Sequence, residues 1–288
     1  MCSGPSLITN KEIITNPRKF DPHPVPDNLI NFFLDEEMLM SLLGLCLDYR
    51  IRDNNQKAKI SSKLLGPDYL ELGTGTNRIA FLHNGVVVKV ALDRRGLIDN
   101  LQEFKRSTEQ KNYLLLTYET NFMINVCEYV DIMDQETFII NEDGIKQILS
   151  ALSQRYLFDD IGFTLKNSYN WGCRKAKPSD GYDDDDLDYA YDICILDYGY
   201  LYPFHSEAEK DRLMRCPICQ HKLKWNANFT MLGCQNSNCH YQISPMNLRK
   251  HMDLEYDEME NEVLATFNEM KMPSLTKIEQ LMTKIGIQ

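Results

Sequence analysis

The sequence predicts an α+β fold with a small cysteine module, and three observations carry that prediction. Two β-branched runs, Arg78–His83 and Val86–Ala91, flank Asn84-Gly85, a dipeptide that favours a tight hairpin because both residues tolerate positive φ. Apolar residues recur at helical spacing from Leu29 to Leu45 and again from Ile145 to Leu152. Four cysteines cluster between Cys216 and Cys239 in two short-spaced pairs.

Length and composition bound the rest. At 288 residues the chain has room for one large domain or two smaller ones. Its 43% hydrophobic and 25% charged content is ordinary globular composition, which excludes a mostly disordered or fibrous chain. A formal charge of -11 argues against a protein that coats nucleic acid, because phosphate neutralisation needs basic surface. Six of those charges come from Asp183, Asp184, Asp185, Asp186, Asp188 and Asp192, so a neutral or basic patch elsewhere is compatible with the total. The most apolar early stretch, Leu29–Leu47, is broken by Asp35, Glu36 and Glu37 and does not read as a membrane span. No basic start followed by an apolar run marks a secretory signal. Of nine cysteines, Cys2, Cys46, Cys127, Cys173 and Cys194 are scattered and four are clustered. That placement fits a reducing compartment with one metal site better than a secreted disulfide scaffold, so a cytoplasmic location is expected.

Taken in order, residues 1–26 hold five prolines with little periodicity and read as an extended arm. Residues 27–67 read as N-terminal helices, from the spacing of Leu29, Ile30, Phe33, Leu34, Met38, Leu42 and Leu45. Over 68–134 the pattern predicts strands at Asp68–Leu72, Arg78–His83 and Val86–Ala91, then a helix over 94–112 with Leu97, Leu101 and Phe104 on one face. Further strands are predicted at Tyr113–Thr117 and Phe122–Met133. Residues 135–211 hold a helix over Asp143–Tyr156 and a short buried strand at Ile193–Leu196. The cysteine module spans 212–243. Residues 244–288 read as helices. Ser244 is an N-cap with Pro245 at the first helical position, and Met252, Tyr256, Met259, Val263 and Phe267 form a stripe that ends by Pro273. A last short helix carries Leu275, Ile278, Leu281 and Ile285.

Two groups of residues carry chemistry in the first half. Glycines in a turn between antiparallel strands let backbone amides approach phosphate oxygens, because no Cβ intervenes, and Gly73-Thr74-Gly75 sits in that context. An ordinary hairpin turn is the alternative. Lys89 lies mid-strand in Val86–Ala91, where its parity sets it opposite Val88 and Val90; it must reach solvent or meet an anion.

These residues resemble the protein-kinase-like fold. Leu72-Gly-Thr-Gly-Thr-Asn-Arg-Ile-Ala80 is similar to the family's glycine-rich loop, with Arg78 where a third glycine is usual. Val88-Lys89-Val90-Ala91 is similar to its third strand, whose lysine binds the nucleotide phosphates. The resemblance implies a two-lobed body with Gly73, Gly75 and Lys89 as ATP contacts and Glu103 as the helix glutamate paired with Lys89; Glu109 competes for that role. It places Asn125–Val130 at the linker that binds adenine through backbone groups, with Glu128 and Val130 as contacts. Ile195-Leu-Asp197-Tyr-Gly199 is similar to the family's Asp-Phe-Gly motif, which makes Asp197 a Mg2+ ligand.

The chain departs from the family at the catalytic loop. The family sets an aspartate five positions before a metal-binding asparagine. Asn170 is the best asparagine here, but Leu165 stands five positions before it. Asn167 is the alternative ligand, and its counterpart is Gly162. Asp160, next to Asp159, is the candidate general base if a longer loop carries it inward. A pseudokinase, or a kinase-like body used as a virion-structural or interaction part, is therefore a second reading. The mixture of motifs resembles kinase-like proteins of bacterial viruses, which would place the chain in host cytoplasm or virion.

Cys216-Pro-Ile-Cys219 and Cys234-Gln-Asn-Ser-Asn-Cys239 bracket fourteen residues. Two tight turns then supply four thiolates, which suit tetrahedral Zn2+. The segments Lys222–Trp225 and Asn228–Leu232 read as antiparallel strands, and the whole resembles a zinc ribbon. His221 or His240 could replace a cysteine, and a disulfide or redox pair is the alternative to structural zinc. Arg212, Arg215, Lys222, Lys224, Arg249 and Lys250, with Trp225, Phe229 and Tyr241, open a third reading: a zinc-ribbon regulator that binds nucleic acid or a polymerase. A protein partner is expected through the C-terminal helices or the acidic loop.

Overall fold

The computed structural model describes residues 36–48, 50–158, 167–175, 191–198 and 201–252, together with Asn261 and Ala265. The expected arm at 1–26, Asp160, the aspartate run and most of the C-terminal stripe lie outside the described residues. The described residues form a mixed helix-and-sheet protein of two compact units, divided between Tyr129 and Val130. Among them, no helix is long and apolar enough to cross a membrane.

The first unit opens with helices α1 (Glu36–Leu47) and α2 (Asn54–Leu65). Asp53 caps α2 by accepting the Asn55 N–H at 2.9 Å. The buried Lys57 ammonium donates to the Cys46 carbonyl at 2.7 Å, which satisfies one of the acceptors left over at the end of α1. Then come β1 (Leu70–Thr74), β2 (Arg78–His83), β3 (Val86–Ala91), helix α3 (Arg94–Glu109), β4 (Thr117–Thr120) and β5 (Ile124–Cys127). The strands form one antiparallel sheet ordered β1-β2-β3-β5-β4. The predicted Asn84-Gly85 turn is present, with φ of 47° and 80°. Val88, Val90, Ile79 and Phe81 pack with Leu42, Leu43, Leu97 and Leu101 into one core.

Helix α3 docks closely on this sheet. Asp93 caps it by accepting the Gly96 N–H at 2.9 Å. A Cβ at Gly96 would collide with the Asn77 carbonyl and press on Ala91 at 3.1 Å, so glycine is what lets the helix start against the glycine-rich turn. The side-chain amide of Asn54 ties the same corner together, donating to the Thr76 carbonyl at 2.7 Å and to Asp93 at 2.8 Å.

Several predicted boundaries shift, each for a local reason. The segment expected as a strand from Tyr113 begins as a turn, because Tyr113 and Leu114 N–H groups both bond Gln110 and continue the end of α3. The single strand expected over Phe122–Met133 is interrupted. Phe122 takes φ of 67° in the β4–β5 turn, and the ladder lapses at Glu128–Val130.

The second unit holds β6 (Asp131–Ile132), α4 (Gln135–Ile140), α5 (Glu142–Leu152), β7 (Tyr156–Phe158), a 3-10 turn at Ser168–Asn170, β8 (Trp171–Lys175), β9 (Tyr191–Ile195) and β10 (Leu201–Pro203). The helix expected to run to Tyr156 ends at Leu152, and Tyr156 pairs with Pro203 in a two-stranded β7–β10 ladder. Strands β6, β8 and β9 form a separate antiparallel sheet. Gly172 admits close packing there, since a Cβ would fall 2.6 Å from Val130 and 2.7 Å from Leu196.

Helix α6 (Glu207–Leu213) leads into three short antiparallel strands, β11 (Leu223–Trp225), β12 (Leu232–Cys234) and β13 (Gln242–Ile243). The strand expected at Asn228–Leu232 begins only at Leu232, because Phe229 takes φ of 53° and Asn226 closes the turn by accepting the Thr230 N–H. Ser244 caps α7 (Pro245–Arg249), as its sequence predicts. That helix ends at Arg249, short of the helix expected over 244–272, most of which lies outside the described residues. The chain turns after Arg249 and buries Met252 against Leu248. Leu157 and Tyr202 of the β7–β10 ladder share a core with Leu213, Leu223, Leu232 and Leu248, so this module packs on the unit rather than standing apart.

Candidate functional site

In the first unit the sheet and α3 bring three charged side chains together. Lys89 projects from β3 on the face that carries its cross-strand neighbours Ala80 and Asn125. Glu103 projects from α3 and is fully buried. The Lys89 ammonium donates to Glu103 Oε2 at 2.9 Å. The Arg78 guanidinium of β2 donates to the other oxygen, Oε1, at 2.8 Å. Burial alone would push the Glu103 carboxyl up, but the adjoining Arg78 and Lys89 cations outweigh it and bring it down to about 2. One buried carboxylate is thus shared by two cations. Glu109, the competitor for Lys89, sits exposed at the end of α3.

The sequence reading missed Arg78, treating it as a departure from a glycine pattern. A signal was present. Arg78 lies two positions before Ala80 on the same strand, and Ala80 pairs with Lys89, so alternation puts both cations on one face.

Gly73 and Gly75 sit in and just after the end of β1, and the Gly75 N–H bonds the Arg78 carbonyl at 2.8 Å to close the turn. Neither glycine has positive φ. A Cβ at Gly73 would meet nothing within 4 Å, and one at Gly75 only the Arg78 carbonyl at 3.5 Å. The fold itself therefore does not require glycine at either position. Glu128 turns inward. Its carboxylate accepts the Leu116 N–H at 2.6 Å, and its own N–H bonds the Leu116 carbonyl at 2.9 Å.

In the second unit, Asn170 and Asp197 are neighbours at one end of the β8–β9 ladder. Trp171 pairs with Ile195, and the Leu196 N–H donates to the Asn170 carbonyl at 2.8 Å. Asp197 follows directly and is exposed, Asn170 is half-buried, and Tyr198 is buried. Asn167 caps the 3-10 turn, its side chain accepting the Tyr169 N–H at 3.1 Å, so Asn170 is the freer of the two candidate asparagines. Val130 is buried beside Gly172.

The four clustered cysteines converge. Their sulfurs all lie within 4.8 Å of one another and could hold a metal ion. Cys219 and Cys234 approach to 3.3 Å, and Cys216 and Cys239 to 3.7 Å. Gln220 takes φ of 62° to turn the first knuckle, and the Cys216 N–H closes it on the His221 carbonyl at 2.8 Å. Backbone amides point at three of the sulfurs, each from two residues on: His221 to Cys219, Asn236 to Cys234 and Tyr241 to Cys239. The first of these pulls the Cys219 thiol down to about 6, while partial burial pushes Cys234 up to about 12. Amides aimed at sulfur favour thiolate, the form a metal binds. His221 is exposed and its ring bonds the Cys219 carbonyl, and His240 is exposed beside Cys239; four sulfurs already complete a tetrahedral set without them.

No protein-family model matches the chain, and no curated protein matches it in sequence. Among solved structures it is similar to the Rio2 kinase of Chaetomium thermophilum in its ADP/Mg2+-phosphoaspartate complex. The identity is 11%, the TM-score 0.36, and the match covers 90% of this chain and 98% of that one. At that level the residues themselves must carry any functional reading.

Proposed function

We propose that the chain is an atypical kinase-like protein that binds ATP with Mg2+ and transfers phosphate to a protein or small-molecule hydroxyl. The observation that carries this reading is the buried contact of Lys89 with Glu103 at 2.9 Å. A lysine from the third strand held by a glutamate of the following helix is the arrangement that presents an ammonium to nucleotide α/β-phosphates. Gly73 and Gly75 support it. They leave open space where a side chain would stand, and no demand of the fold explains them, whereas a phosphate cradle does. Asn170 and Asp197 offer one amide oxygen and one carboxylate from adjacent positions, a donor pair of the hard oxygen type that Mg2+ takes. Glu128 and Val130 would contact adenine through their backbone, and Asp160 would orient the attacking hydroxyl.

The four cysteines fit zinc, held as a structural ion. All four positions of a tetrahedron are taken by sulfur, which leaves no open site for a substrate. The sharing of Glu103 with Arg78, and a catalytic loop that lacks the family's spacing, favour a second reading in which the kinase-like body binds nucleotide without transferring phosphate.

A thermal-shift series tests the nucleotide reading. Wild type should gain melting temperature with ATP and Mg2+, and Lys89→Ala should reduce the gain. An equal gain in wild type and Lys89→Ala would remove the site from consideration. Release of labelled phosphate onto added hydroxyl substrates then separates a kinase from a nucleotide-binding pseudokinase.

A further inference from the structure

The three strands β11, β12 and β13 present two very different faces. Leu223 pairs with Cys234, Trp225 with Leu232, and Leu232 with Ile243, so these five side chains point one way. They pack into the core shared with Leu157 and Tyr202. Strand alternation sends Lys224, Gly233 and Gln242 to the opposite face, again as direct partners. The same face continues through Lys222, whose carbonyl bonds the Gln235 N–H at 3.0 Å, and through Arg215, which bridges to Lys222. Arg215, Lys222, Lys224, Gln235 and Gln242 are all exposed. The centre is flat, since a Cβ at Gly233 would meet only Gln242, at 4.0 Å.

The charge pattern of the segment is one-sided. Residues 212–252 contain Arg212, Arg215, Lys222, Lys224, Arg249 and Lys250, and not one Asp or Glu, within a chain of formal charge -11. No carboxylate of the segment can therefore neutralise the outer face. The other three cations are already engaged: Arg249 lies over the Tyr202 ring at 3.9 Å, Arg212 donates to the His251 carbonyl, and Lys250 donates to Asn247 at 3.1 Å. On the face itself Arg215 also donates to the Gln220 carbonyl at 3.4 Å, which leaves its remaining N–H groups and the two lysines for phosphate.

We propose that the outer face of this sheet binds the phosphate backbone of duplex nucleic acid. Lysine, arginine and glutamine side chains on a flat surface are donors suited to phosphate oxygens. The aromatic residues of the module point elsewhere: Trp225 and Phe229 pack around Phe158, with ring centroids 5.5 and 6.3 Å away, and Tyr241 packs on the inner core. A face without rings has no platform on which unpaired bases could stack, which favours duplex over single strands. A face whose own segment carries no carboxylate acceptor reads charge and spacing rather than sequence. This inference does not depend on the nucleotide reading.

The test is fluorescence anisotropy of the full chain with a short labelled duplex DNA across a salt series. Neutralisation by Arg215, Lys222 and Lys224 predicts a slope of about −3 in log Kobs against log salt. The double variant Lys222→Glu, Lys224→Glu should weaken binding at low salt by ~10-fold or more and reduce the slope by about 2. Both side chains are exposed, so the fold should hold; Arg215→Glu gives an independent arm with the same sign. Failure of wild type to bind the duplex, binding unchanged in all variants, tighter binding of a single strand, or tighter binding of polyglutamate than of the duplex would each overturn the proposal. The last would point to an acidic protein segment instead.

Discussion

Glu103→Gln should destabilise the protein by about 3–5 kcal/mol, read from urea unfolding. Glu103 is fully buried and holds Lys89 at 2.9 Å and Arg78 at 2.8 Å. The substitution removes the only negative charge of that triad and leaves two cations facing each other with little water. The cost is mostly that of uncompensated charge, not of the lost attraction. A triple variant, Arg78→Met, Lys89→Met and Glu103→Leu, should therefore recover much of the lost stability while binding no nucleotide. If Glu103→Gln unfolds at the wild-type urea concentration, the triad contributes nothing and its arrangement is incidental. The pH dependence has a defined sign. The folded carboxyl lies near 2 against an ordinary 4.5, so its stabilisation is complete above about pH 4.5 and is lost as pH falls toward 2.

Metal removal should have the second large effect. Structural zinc on four thiolates contributes on the order of 10 kcal/mol in small domains at neutral pH. The cysteine segment has only a small inner core of its own, so a strong chelator, or Cys216→Ser, should unfold it locally. Trp225 reports this directly, because its ring packs at 5.5 Å from Phe158 and 6.0 Å from Phe229. In a Trp171→Phe background its emission should shift to the red on chelation and return with added Zn2+. The isolated chain should carry one zinc ion. A metal-free chain with unchanged emission would contradict the zinc reading.

How much was legible in the sequence depended on the range of the interaction. Asn84-Gly85, the Ser244 cap with Pro245, and β3 at Val86–Ala91 follow from local rules, and the structure has them where the residues put them. The four-cysteine cluster was legible from spacing alone, because two short knuckles can close on a metal with little help from the rest of the chain. What failed was decided by contacts that no short window contains. Tyr156 leaves the helical pattern for a strand because Pro203 lies beside it, and the helix after Ser244 stops because Met252 is drawn into a core with Leu157 and Tyr202. The polar interior of α3 was not legible for the same reason. Its sequence offered Leu97, Leu101 and Phe104 as an apolar face, yet the helix buries Gln102, Glu103, Arg106 and Ser107 as well. Burial of most of those polar groups is tolerated because partners from β2 and β3 and from the helix itself meet them: Arg78 and Lys89 meet Glu103, and Arg106 donates to Gln102 Oε1, while Gln102 Nε2 has no partner among the described residues.

The nucleotide proposal gives each unit one testable role: Lys89 meets phosphate in the first, and Asp197 holds Mg2+ in the second. Equilibrium binding of ATP with Mg2+ and with chelator, in wild type, Lys89→Ala and Asp197→Ala, tests it most directly. The account predicts that Mg2+ strengthens binding in wild type, that Asp197→Ala removes only this gain, and that Lys89→Ala weakens binding in both conditions. An Asp197→Ala protein that still gains from Mg2+ as wild type does, or a wild type that binds no ATP, would contradict it.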